Sequence, residues 1–145
     1  MASIAKRTEE TIDYNKSLRN KSSQSANVTD AISYATCTTA MDLKAKAILS
    51  STSSGHTARM VSKFRPDCPI IATTNDERVM RQLSLTWGVQ PVKRVKSTTT
   101  DEVIANSIEG AKASEYIKAE DLVVITAGVP VGMSGTTNLI KVETV

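Results

Sequence analysis

Apolar residues fall in short bursts along this chain, each separated from the next by a polar, punctuated stretch. Leu122-Val123-Val124-Ile125 is the densest burst and reads as a buried strand. Ile70-Ile71-Ala72 reads the same way. Ala45 to Leu49, interrupted by Lys46, forms a third strand. Val89 to Val92 carries Pro91, which cannot donate to a ladder and so suits an edge. Leu139-Ile140-Lys141-Val142 partly alternates, as a half-exposed edge strand does.

Between these bursts the spacing turns helical. A helix opens near Asn27-Val28-Thr29-Asp30, with Asn27 or Thr29 as cap and Asp30 at the positive end of the dipole. Ile32, Ala35, Thr39 and Leu43 share one of its faces, and Ala31, Ala35 and Ala40 are small enough to pack closely on a sheet. His56 to Phe64 repeats helically through Ala58, Met60, Val61 and Phe64. Asn75-Asp76-Glu77 starts another helix, with Val79, Met80 and Leu83 inward and Gly88 placed to stop it. Thr99-Thr100-Asp101-Glu102 is a capping box that opens a helix with Val103, Ile104, Ile108 and Ala111 inward.

Strands alternating with helices across short loops predict a parallel sheet covered on both faces, with right-handed crossovers. The last strand follows its predecessor by a loop too short for a crossover helix, so it must run antiparallel. The predicted fold is a three-layer α/β/α sandwich with a mixed sheet of about five strands, the last one reversed. The chain's start stands apart. Ile4, Ala5, Thr8 and Ile12 line one face of a short helix with little to pack on, and Asn15 to Asn27 reads as a polar surface connection, partly helical at its start.

Composition narrows the function. One domain of 145 residues, 40% hydrophobic and 23% charged, is an ordinary globular chain. Aromatics at 3% force a core of aliphatic side chains. A net charge of +3 without dense Lys/Arg patches or stacking aromatics argues against nucleic acid. No apolar run nears the ~20 residues of a membrane span, and no apolar stretch follows the N-terminus as in a signal peptide. Cys37 and Cys68 have no CxxC spacing, and His56 is the sole histidine, which disfavours a zinc site. Two lone cysteines fit a reducing compartment.

Two loops carry candidate chemistry. Ser50-Ser51-Thr52-Ser53-Ser54-Gly55-His56-Thr57 lies between a strand and a helix start. Unpaired N–H groups at that start, hydroxyls from Thr52, Ser53, Ser54 and Thr57, and the backbone access given by Gly55 suit a phosphate. A polar loop that merely caps the helix would look similar. Gly128-Val129-Pro130-Val131-Gly132-Met133-Ser134-Gly135-Thr136-Thr137 follows the strongest strand and lacks the Gly-Lys-Ser/Thr of a nucleotide loop. Alone it reads as a wide hairpin connection. If the first strand and Leu122–Ala127 are central neighbours, both loops flank the switch point where doubly wound sheets bind ligands. Lys93, Arg94 and Lys96 could add charge for a second phosphate, or form a solvated loop. A lone His56 gives no catalytic triad, no carboxylate pair suits Mg²⁺, and Trp87 beside Gly88 reads as packing.

Thr29-Asp30-Ala31-Ile32-Ser33, Thr52 to Arg59, Ser62-Lys63-Phe64-Arg65-Pro66 with Pro69-Ile70-Ile71-Ala72, Trp87-Gly88-Val89, Glu120 to Gly128, and Val129 to Val142 together resemble the C-terminal domain of bacterial pyruvate kinases. The likeness covers nearly the whole chain. It implies that residues 1–24 leave a catalytic barrel absent here and that 25–145 form the regulatory domain. The parent would transfer phosphate from phosphoenolpyruvate to ADP in glycolysis, using Mg²⁺ and K⁺ in the barrel, while this piece holds no catalytic residue and no metal. It would be cytoplasmic and would contribute a subunit interface to a homotetramer. Thr52, Ser53, Ser54, Gly55, His56 and Thr57 would grip an effector phosphate, and Gly128, Val129, Pro130, Gly132, Ser134, Gly135 and Thr136 would close over it. His56 stands where several fructose-bisphosphate-regulated members have Arg. The effector implied is fructose 1,6-bisphosphate, a monophosphate such as ribose 5-phosphate or glucose 6-phosphate, or AMP. The alternative readings are a free-standing sugar-phosphate or nucleotide module and a purely structural assembly domain. The leading helix favours a part of something larger.

Overall fold

A computed structural model describes residues 1–21 and 27–145. The core is a five-stranded sheet in the order β3-β2-β1-β4-β5, built from β1 (Ala47–Ser51), β2 (Ile70–Thr74), β3 (Val89–Lys93), β4 (Leu122–Ala127) and β5 (Leu139–Thr144). The first four strands are parallel, and β5 pairs antiparallel with β4. Helices are α1 (Ala2–Glu9), α2 (Tyr14–Arg19), α3 (Val28–Asp42), α4 (His56–Lys63), α5 (Glu77–Leu83) and α6 (Thr100–Ala113).

The pleat sorts the apolar residues between two layers. Ile48, Ile70, Ala72, Val89 and Val124 pack with residues of α3, α4 and α5. Ala47, Leu49, Ile71, Val92, Val123 and Ile125 pack with α6. This is the expected three-layer sandwich, with the last strand reversed at one edge and the Pro91 strand at the other. The strands step from β1 to β2 to β3 in one direction, and β4 then joins the opposite side of β1. The switch point therefore lies between β1 and β4.

Of the two caps the sequence offers for α3, the structure uses Asn27, and α5 starts within Asn75-Asp76-Glu77 with Asp76 as its cap. Asn27 accepts from the Asp30 N–H, Asp76 from Arg78 and Val79, and Thr99 with Glu102 completes the capping box. Hydrogen bonds from Thr98 and Thr99 to the Glu102 carboxylate hold its pKa below the usual glutamate value. Burial raises both thiols, Cys68 to about 12 and Cys37 further, so neither ionises near neutral pH and both act as core side chains.

Four expectations shift. The first ladder starts at Ala47 rather than Ala45, because the Ala45 N–H closes the end of α3 on Ala40. Gly88 does not stop α5, which ends at Leu83. It sits at φ +68° in the turn before β3, and its carbonyl accepts from Ile70. The buried row of α3 is Asp30, Ser33, Cys37 and Ala40, with Thr36, and Leu43 lies exposed. Close approach to α4 and the sheet selects small side chains there, and Asp30 is held by Lys63 at 3.2 Å.

The fourth concerns the polar stretch after α1. The first helix buries nothing, as its weak apolar face implied, but α2 buries Leu18 in the main core. The Tyr14 ring lies 6.1 Å from that of Trp87 at a 37° tilt, and the Arg65 guanidinium lies 4.7 Å over the Trp87 ring. Trp87 is thus a packing residue. The expected boundary between 24 and 25 lies outside the described residues.

Leu18 is 2% exposed, so its truncation leaves a cavity. Leu18→Ala is expected to cost about 2–5 kcal/mol in urea unfolding. A loss near zero would mean that α2 does not belong to the core.

Candidate functional site

Both candidate loops emerge from the carboxyl ends of neighbouring strands. β1 pairs with β4 from Ala47–Val123 to Ser51–Ala127. The loop after β1 and the loop after β4 face each other across a narrow cleft of about 410 Å³, its open mouth included. Thr52, Ser53, Ser54, His56 and Thr57 line one wall. Gly128, Val131, Gly132, Met133, Ser134, Gly135 and Thr136 line another. Arg94 and Val103 close a third side. No acidic side chain borders the cleft among the described residues.

The first loop is built for an open helix start. Thr52 is anchored to the sheet through its N–H to Thr73 at 3.0 Å. Its hydroxyl accepts from the Gly55 N–H at 2.9 Å, which turns the chain. Gly55 then takes φ +82°, a left-handed conformation that favours glycine, and a Cβ there would also press on the Arg59 guanidinium. Arg59 in turn donates to the Ser54 carbonyl at 3.3 Å. The result is α4 with no side-chain cap, whereas α5 and α6 are both capped. Ser53 and Ser54 are exposed, and His56 is half-buried.

The second loop is tied down at its base. Asn138 mimics a strand pair by exchanging hydrogen bonds with Val129, at 2.8 Å and 2.7 Å. Thr136 passes so close to Gly128 that a Cβ would run into its carbonyl. The Thr136 hydroxyl is buried without a partner. A buried hydrogen bond of 3.0 Å from Thr137 to Thr57 joins this loop to the start of α4. Thr57 accepts there and Thr52 accepts from Gly55, so each keeps its own proton to donate.

Of the basic group, only Arg94 reaches the cleft. Lys93 pairs with Glu77 at 3.0 Å on the surface. Desolvation lowers the pKa of the buried Arg94 guanidinium below the usual arginine value. Thr137 ends the glycine loop that the sequence singled out, but nothing in the pattern linked it to a threonine 80 positions earlier.

The likeness to known proteins agrees with this geometry. The family model described as "Pyruvate kinase, alpha/beta domain" matches residues 30–143. The chain belongs to that family. It is 47% identical to a pyruvate kinase of Clostridium acetobutylicum over 146 residues, covering 100% of this chain and 31% of that protein. A pyruvate kinase of Sporosarcina psychrophila is 45% identical, with 100% of this chain and 25% of the relative covered. One from Lactobacillus delbrueckii subsp. bulgaricus is 44% identical, with 99% and 25% covered. The chain thus spans about a quarter to a third of the pyruvate kinases it matches, and the matched part is their C-terminal one. No helix among the described residues is long and apolar enough to cross a membrane.

Gly128→Ala should push the Thr136 strand of the loop outward. Its expected signature is faster amide exchange from 129 to 137 and a stability loss of about 1–3 kcal/mol. Unchanged exchange across that loop would contradict the close approach.

Proposed function

We propose that this chain is the effector-binding and subunit-interface domain of a pyruvate kinase, and that a phosphorylated small molecule occupies the cleft between the loops after β1 and β4. The observation that carries this reading is the uncapped start of α4, which opens into that cleft. Unpaired N–H groups and the helix dipole favour an anion there. Ser53 and Ser54 are free to donate, Thr52 and Thr57 retain a proton each, and the glycine loop is positioned to fold over the ligand.

The parent polypeptide transfers phosphate from phosphoenolpyruvate to ADP, giving pyruvate and ATP, in a barrel outside this chain. Mg²⁺ and K⁺ belong to that barrel. Among the described residues no group of three His, Cys, Asp or Glu side chains could hold a metal ion. The parent works as a homotetramer in the cytoplasm. Support for an interface role is the unpaired outer edge of β5, together with the half-buried Ile32, Ala35 and Thr39 on α3. A free-standing binding module is disfavoured by the relatives, which are pyruvate kinases of which this chain spans about a quarter to a third.

Calorimetry of the full 145-residue chain with glucose 6-phosphate tests the cleft. Replacing Ser53 and Ser54 together by Ala is expected to weaken binding by about tenfold or more, as lost hydrogen bonds to a charged group do. Binding that is absent in the parent chain, or unchanged in the variant, would overturn the assignment. The same chain is expected to release no pyruvate from phosphoenolpyruvate and ADP in a coupled assay, and measurable turnover would place the chemistry here after all.

A further inference from the structure

His56 is the first residue of α4, at the helix start that no side chain caps. Its imidazole is half-buried and lines the cleft beside Ser53 and Ser54. It is also the sole histidine of the chain. The proposed phosphate contacts use the N–H groups and hydroxyls of this turn and give the ring itself no task.

Histidine is the side chain whose charge changes between about pH 5 and 8. The rest of the cleft has a fixed charge in that range. Its walls hold no carboxylate among the described residues, and Arg94, its other ionisable side chain, stays protonated. Arg59, whose guanidinium lies against Gly55, is likewise a permanent cation. The glycine loop brings no titratable side chain to the cleft. Acids on the surrounding helices are engaged elsewhere. Asp30 of α3 pairs with Lys63, Glu77 of α5 pairs with Lys93 and Arg81, and Asp76 caps α5. On α6, Glu102 accepts from Thr98 and Thr99, and Asp101 faces the groove between α6 and β5. Burial pushes both thiols far above neutrality. The Met1 amine precedes α1, which does not border the cleft.

An anion seated at the start of α4 attracts an imidazolium and has no such attraction for a neutral ring. Binding therefore favours the protonated ring, and protonation favours binding by the same factor. We propose that His56 makes anion binding in this cleft proton-linked, the charged ring holding the ligand more tightly than the neutral one. This rests on the cleft being the effector site. The ring is half-exposed, so the gain is about threefold to tenfold rather than the larger factor of a fully buried pair. A phosphate ester sheds charge of its own as pH falls through about 6, which opposes the gain. His56 thus keeps the cleft's hold on a phosphorylated ligand from fading as the solution acidifies. With a sulfate ester, whose charge is fixed over this range, the contribution of the ring stands alone.

A single imidazole gives a single Cε1 proton resonance, so its titration can be followed in the full 145-residue chain without assignment. Saturating glucose 6-phosphate is expected to move the midpoint of that titration upward. Calorimetry with glucose 6-sulfate is expected to show binding about threefold to tenfold tighter at about pH 5.5 than at about pH 8. In His56→Gln the two affinities should agree within about twofold, and in the permanently charged His56→Arg they should agree at a tighter level. A midpoint that stays in place or moves down under saturating glucose 6-phosphate would overturn the role of His56 and leave the phosphate cleft standing. A pH dependence for glucose 6-sulfate that persists in His56→Gln would do the same. Failure of the unaltered chain to bind glucose 6-phosphate at either pH would remove the cleft itself. The resonance of the unaltered chain decides the matter even if the variants fold poorly.

Discussion

The parallel pairing of β1 with β4, from Ala47–Val123 to Ser51–Ala127, decides where everything else at the cleft emerges. Both strands are buried along nearly their whole length, and their side chains alternate between the two core layers. A slip of one residue would turn Ile48 and Val124 toward α6 and expel Leu49 and Ile125 from it. That penalty fixes the register, and the register fixes the two loop exits side by side. The Thr137–Thr57 hydrogen bond then locks the exits together inside the protein.

Given those exits, two glycines set the cleft's shape. Gly55 turns the chain at φ +82° so that α4 begins without a side-chain cap. Gly128 lets the returning segment at Thr136 lie against the departing one. A helix start left open, a buried Thr136 hydroxyl and a buried Arg94 Nε, neither with a partner among the described residues, all border one space. Each is unfavourable in an empty domain. Their convergence is what a site for an anionic ligand requires, and it is the ground on which a phosphorylated ligand is proposed for this cleft.

Much of this was legible in the chain. The strand bursts, the caps at Asn27, Asp76 and Thr99, the reversed last strand and the edge position of Pro91 all follow from local chemistry that tertiary packing had no reason to override. The hydroxyl loop was visible because its hydroxyls exceed what a cap needs, whereas the glycine loop alone reads as a hairpin connection and became a candidate only through its place beside the first loop. What escaped notice depends on distant neighbours. Leu18 is a single apolar residue in a polar stretch, so it shows no period. On α3 the helix faces were ranked by apolarity, while close packing on α4 rewarded Ser33, Cys37 and Ala40. Arg94 looks the same as Lys93 and Lys96 in sequence, and only the place where β3 ends beneath α6 separates it from them.

Amide spectra of the ¹⁵N-labelled chain titrated with inorganic phosphate test the central claim most directly. The open start of α4 should respond first, with saturable shifts at Ser53, Ser54, His56 and Thr57, while the capped start of α6 at Thr100 and Asp101 stays still. Shifts spread evenly over the surface, or none at the start of α4, would contradict the account.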